Sequence, residues 1–184
     1  AVCLLVAAIA LAATTLDADA RKRRQSAAEK AAAEAALKQK AEDEAFAQTF
    51  VGKSYSDDLD IDGWGDLGGG RVQEQIYVHQ YQRPDGTNLV LTSKQLEKEK
   101  AGKPALYEVT DALIAAKPAP GVQFSTSCTQ GKDEALRFIG EAKGPESKEW
   151  WTDVRRAWEI SIETGKITSI KPAGVRCTNA SWGQ

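Results

Sequence analysis

Residues 1–13 are apolar without a break. That is shorter than the roughly 20 residues a bilayer-spanning helix needs. The run fits the apolar core of a signal peptide, with Ala10-Leu11-Ala12 as a small-x-small cleavage site, or the end of a membrane anchor. Residues 1–20 are therefore read as a signal or anchor segment. Residues 21–50 change character: Ala, Glu, Lys and Gln dominate, all strong helix formers. Glu34 and Lys38 stand at a favourable i,i+4 spacing. Large apolar side chains are scarce before Phe46 and Phe50, so such a helix stays solvated along most of its length. It would extend about 45 Å, a stalk between membrane and folded domain.

An acidic, glycine-rich loop over 51–70 separates the stalk from an apolar-patterned region, 71–184. Val72, Ile76 and Val78 share one face of a strand, and Tyr77, His79 and Tyr81 the other. Arg83-Pro84-Asp85-Gly86 is a turn, and Leu89 and Leu91 continue on the returning strand. Residues 94–103 read as a charged connector. Leu106, Val109 and Leu113 fit the spacing of a helix, which Pro118 to Gly121 would stop. Val122, Phe124 and Cys128 predict a strand. Residues 133–143 predict a short helix, with Asp133 near its positive end. A loop follows over 144–151. The chain ends in a hairpin with Trp158, Ile160 and Ile162 facing the core and Glu163 to Lys166 turning. The fold class predicted is α+β: a long N-terminal helix, then a small antiparallel-sheet domain with one or two packed helices.

The charge balance excludes one class. With 24 basic and 26 acidic side chains the net charge is −2, where a nucleic-acid binder carries a basic excess. Arg21-Lys22-Arg23-Arg24 would favour the cytoplasmic side beside an uncleaved anchor and means little beside a cleaved signal. Cys128 and Cys177 flank no metal-ligand spacing, so in an exported domain they predict a disulfide tying the last segment to the middle of the domain.

Five carboxylates fall between Asp57 and Asp66. Asp58, Asp60 and Asp62 alternate, Gly63 permits a sharp turn, the Trp64 carbonyl offers a backbone oxygen and Asp66 closes the series. Calcium takes six to eight such oxygens, so these five residues are the candidate metal ligands. The spacing resembles the first nine positions of an EF-hand loop, departing from it at the twelfth, where Gly69 replaces a bidentate glutamate. It resembles more closely the D-x-D-x-D-G-x-x-D-L calcium loop of extracellular repeat proteins such as FG-GAP propellers. That resemblance implies a calcium-stabilised junction between stalk and domain. The competing reading is a plain solvated linker.

Other chemistry is sparse. His79 is the single histidine, and no G-x-S-x-G surrounds any serine. Gly68-Gly69-Gly70 lacks the Gly-Lys-Ser/Thr of a phosphate loop. Trp150, Trp151 and Arg155 form a candidate interface, being residue types that dominate binding hot spots. Asn179-Ala180-Ser181 fits a glycosylation sequon.

The order of segments resembles type IV pilins and pseudopilins: apolar N-terminal helix, polar continuation to about residue 50, strands, and a C-terminal disulfide region. The Phe-Thr-Leu-x-Glu start of that family is absent. The expectation is an exported, membrane-tethered, non-enzymatic interaction subunit of a cell-envelope assembly, extracytoplasmic, meeting protein partners or copies of itself. A pilin-like filament subunit and a periplasmic inhibitor or immunity-type binding protein are the alternatives, and a metal-dependent hydrolase the last.

Overall fold

A computed structural model of the chain describes residues 27–56 and 59–182. The apolar run at 1–13, the basic cluster at 21–24 and Asp58 lie outside those residues. The chain divides into two compact units, 1–43 and 44–184.

In the first unit the described residues are helical and almost wholly exposed. They belong to α1, 27–48. The predicted Glu34–Lys38 pairing gives way to Lys30–Glu34 at 3.9 Å and Lys38–Glu42 at 3.7 Å, all largely exposed. Such pairs contribute a few tenths of a kcal/mol, about 0.3–0.5 each. Among the described residues no helix is long and apolar enough to cross a membrane.

The second unit holds two antiparallel sheets. The first has the order β1-β5-β4-β3-β2, from β1 (Ser54–Tyr55), β2 (Gly65–Gln73), β3 (Ile76–Gln82), β4 (Asn88–Glu97) and β5 (Leu106–Ala115). The second has the order β10-β9-β7-β6-β11-β8, from β6 (Gln123–Gln130), β7 (Asp133–Lys143), β8 (Trp150–Trp151), β9 (Asp153–Ile160), β10 (Ile167–Ile170) and β11 (Val175–Thr178). The α+β class holds. The packed helices inside the domain do not: among the described residues α1 is the only helix. Of the charged connector at 94–103, residues 94–97 are the end of β4 and the rest is a turn closed by a Lys100–Lys103 bridge, and Trp150 and Trp151 are a short strand where a loop was expected.

Both predicted helices fail for one physical reason. They are strands with apolar side chains on two faces, and on β5 a bulge also breaks the alternation. On β5 the ladder shifts between Thr92 and Ser93, leaving one extra residue between Val109 and Asp111. Val109, Ala112 and Ile114 then enter one core and Leu113 the other. The bulge puts Val109 and Leu113, four residues apart, on opposite faces of the strand, where a helix would put them on one. On β7, Phe138 and Ala142 enter one core while Ile139 enters the opposite one. The neglected local signal was Gly140, a poor helix-interior residue.

Three cores result. Ile76, Val78 and Val90 of the first sheet meet Ile139 and Ile160 of the second, joined by Trp158 and Phe124. Ile162 does not follow Trp158 and Ile160 inward; it sits exposed in the turn. The other face of the first sheet, with Tyr81, Leu89 and Leu91, packs against Ala47, Phe50 and Ile61. The other face of the second sheet buries Cys128, Cys177, Phe138 and Trp151.

Candidate functional site

The acidic loop is built on alternation. Ile61 is 5% exposed, and Leu59 and Trp64 pack half-buried against the same core. Asp60 and Asp62 are the outward, exposed half of that pattern. The Trp64 N–H donates to the Ile61 carbonyl at 2.9 Å, closing a turn in which Gly63 takes φ 77°. A side chain is disfavoured at that dihedral, so glycine belongs there with or without a cation. The Trp64 ring stacks on Phe46 at 5.9 Å, with the Arg83 guanidinium 5.3 Å from its centre. Asp66 lies in β2, where its Oδ1 accepts the Gly68 N–H at 2.6 Å beside a bulge. Among the described residues no group of three or more His, Cys, Asp or Glu could hold a metal ion. Asp58, the first of the candidate ligands, is not described.

The tryptophan pair divides. Trp151 is 4% exposed, sits opposite Cys177 and donates its indole N–H to the Pro145 carbonyl at 3.0 Å. It is a core residue. Trp150 is half-buried, with the Arg176 guanidinium 4.7 Å from its ring centre. It lines a 680 Å³ cleft together with Lys143 and Lys148. Arg155 is exposed on β9 and does not line that cleft. Its neighbour Arg156 pairs instead with buried Glu141, Nε to Oε2 at 2.7 Å. The sequon asparagine, Asn179, is buried, and its side-chain amide donates to the Glu146 and Lys148 carbonyls at 2.9 and 3.0 Å.

Cys128 and Cys177 stand directly opposite each other on β6 and β11 and form a disulfide. Both are fully buried. Gly140 on β7 lies against them: a Cβ there would fall 2.6 Å from the Cys177 sulfur and 3.2 Å from that of Cys128.

A second constellation forms at the end of the first sheet. Tyr55 pairs with Tyr107 across β1 and β5, rings 5.5 Å apart and 25° from parallel. Tyr77 meets Tyr107 edge-on at 5.0 Å, and His79 meets Tyr55 edge-on at 6.2 Å. The Tyr55 hydroxyl donates to Ser93 Oγ at 2.7 Å, fixing β1 onto β4. On the β2 side, Gly69 stands opposite His79, and a Cβ at Gly69 would fall 2.8 Å from His79 Nδ1. Bare glycine backbone and the rings together bound an open trough of 450 Å³. Burial, and then the neighbouring Tyr77 phenol, push the Tyr107 phenol above its usual range. The sequence places Tyr77 and His79 on one face, but Tyr81 from that face enters the core. Nothing local brings in Tyr55 and Tyr107, because their pairing with β3 runs through β4 and β5.

Compared with protein-family models, curated proteins and solved structures, the chain matches none.

Proposed function

We propose that this chain is an extracytoplasmic, non-enzymatic interaction subunit of a cell-envelope assembly, tethered through its N-terminal segment. The observation that supports this best is the Cys128–Cys177 disulfide, fully buried and joining the last strand to the middle of the second sheet. Disulfides of this structural kind form and persist in oxidising compartments and are rare in reducing ones. The alanine-rich helix that precedes the domain in sequence is exposed and bears one large apolar side chain, Leu37, before Phe46. That composition suits a spacer in water more than a packed core helix. Calcium binding at the acidic loop would call on Asp58 together with Asp60 and Asp62.

The test is the intact mass of the protein from its native host, measured non-reduced and then reduced and alkylated. Two alkylations appearing only after reduction, in a fraction outside the cytoplasm, is the expected result. Free thiols before reduction would overturn the compartment.

A further inference from the structure

We propose that Tyr77 and Tyr107 form a site of oxidative cross-linking, at which a peroxide-driven one-electron oxidant joins the two rings as dityrosine. This goes beyond the envelope reading and does not rest on it.

The sheet order brings these two phenols together across a strand. Tyr77 on β3 stands opposite Ser93 of β4, and Tyr107 on β5 stands opposite Gln95, two positions along the same face. Ser93 is small and buried, so the two rings close over it, edge-on, with centroids 5.0 Å apart. Their hydroxyls are neighbours: burial first, and then the Tyr77 phenol, hold the Tyr107 phenol above its ordinary range. Both residues are half-buried and line the open 450 Å³ trough, which admits a small oxidant and leaves room for a ring to turn. Tyr55 also stacks on Tyr107, at 5.5 Å, but its hydroxyl is held on Ser93 Oγ at 2.7 Å.

The chemistry balances as a two-electron oxidation. Each phenol gives up one electron and its hydroxyl proton, and the unpaired electron spreads to the ring carbons ortho to the oxygen. An ortho carbon of Tyr77 bonds to one of Tyr107 as the rings turn from edge-on toward parallel. Each of those carbons then releases its hydrogen as a proton, and each oxygen takes a proton back. The net loss is two electrons and two protons, which reduce one hydrogen peroxide to two waters. Holding the rings in contact replaces the encounter of two separate radicals with a step inside one molecule. The sequence has no methionine, and Cys128 and Cys177 are already joined, so Tyr and Trp are the side chains from which such an oxidant takes electrons most readily in the domain. The bond staples β3 to β5 over β4, a backbone separation of about 10 Å at twice the strand spacing. A disulfide, with its Cα atoms about 4.4–6.8 Å apart, does not reach so far.

The full chain, at high dilution, is treated with a haem peroxidase and hydrogen peroxide, and the monomer is then isolated. The expected monomer shows dityrosine fluorescence and has lost the mass of two hydrogen atoms. Fragmentation of its joined peptides should place the bond between Tyr77 and Tyr107. Tyr77→Phe and Tyr107→Phe keep the rings and remove the reacting hydroxyls, and each should reduce the monomer's dityrosine to background while melting curves taken before oxidation match the parent. Tyr55→Phe should leave the cross-link in place. Absence of dityrosine from the monomer, under conditions in which N-acetyltyrosine couples, overturns the proposal. So does a bond that maps to Tyr55 or Tyr81, dityrosine confined to dimers, or monomer dityrosine that survives Tyr107→Phe.

Discussion

The carboxylate of Asp111 on β5 accepts the backbone N–H of Ile167 on β10 at 2.8 Å, through Oδ2. Its Oδ1 accepts the N–H of Ala112 at 3.0 Å. One side chain thus joins the first sheet to the last hairpin of the second. A neighbouring link reinforces it: fully buried Thr92 donates its hydroxyl to the Gly165 carbonyl at 2.6 Å. Lys166 Nζ lies 3.9 Å from Asp111 but is largely exposed, so its charge contributes little.

Asp111→Ala should therefore cost about 1–3 kcal/mol, because it strands the Ile167 N–H in a partly buried position. Lys166→Ala should cost less than about 1 kcal/mol. Urea denaturation of both variants distinguishes the two contributions. Equal losses would show that the ion pair, not the backbone hydrogen bond, joins the sheets here.

The disulfide and Gly140 should be energetically coupled. Replacing Cys128 and Cys177 by alanine should cost roughly 2–4 kcal/mol. Gly140→Ala in the intact protein drives a methyl to within 2.6 Å of a sulfur, and overpacking of that kind costs about 1–3 kcal/mol. In the double-alanine background the sulfurs are gone, so Gly140→Ala should cost distinctly less. A double-mutant cycle measures the difference, and strict additivity would mean the contact is relieved elsewhere.

The elements that could be read from sequence are those whose information is local. The β3–β4 hairpin follows from period-2 alternation across Arg83-Pro84-Asp85-Gly86, and the β9–β10 hairpin from Trp158, Ile160 and the turn at Glu163 to Lys166. The disulfide followed from cysteine number and context. β5 and β7 were illegible because each sends apolar side chains to both faces, and on β5 a bulge also shifts the alternation that marks a half-buried strand. The tyrosine trough was illegible for another reason. Its rings come from β1, β3 and β5, and only the pairing order of the sheet brings Tyr55 and Tyr107 beside Tyr77. Conversely, Asp60 and Asp62 gave a visible motif, and the structure adds that Leu59 and Ile61 turn inward between those exposed carboxylates.

Acid should act visibly at the β3–β4 turn. The Asp85 carboxylate accepts from Arg83 Nε at 2.9 Å and from the Thr87 N–H at 2.8 Å. These hold its pKa down at about 2 from the usual 3.8, the Arg83 hydrogen bond first and the Thr87 N–H next. A depressed folded-state value means the stabilisation is fully present above 3.8 and is lost as pH falls through about 2. The side chain is 55% exposed, so solvent screening keeps the energy small. A carboxyl-carbon NMR titration should place Asp85 at about 2, and Asp85→Asn should remove its share of the acid sensitivity. Titration at the usual 3.8 would show that the turn opens before the carboxylate protonates.

The acidic loop should depend on its apolar residues more than on its charges. Ile61 is buried in a core shared with Phe50, Tyr81 and Leu91, so Ile61→Ala should cost about 2–5 kcal/mol. Asp60 and Asp62 are exposed, and Asp60→Asn and Asp62→Asn should each change stability by less than about 0.5 kcal/mol. Melting curves in excess calcium and in chelator should coincide, because Leu59, Ile61 and Trp64 already anchor the turn that Gly63 shapes. A calcium-dependent rise in Tm that Asp60→Asn abolishes would reverse this. The loop would then gather Asp58 with Asp60 and Asp62 around the ion, and their mutual repulsion without it would account for the difference between the two curves.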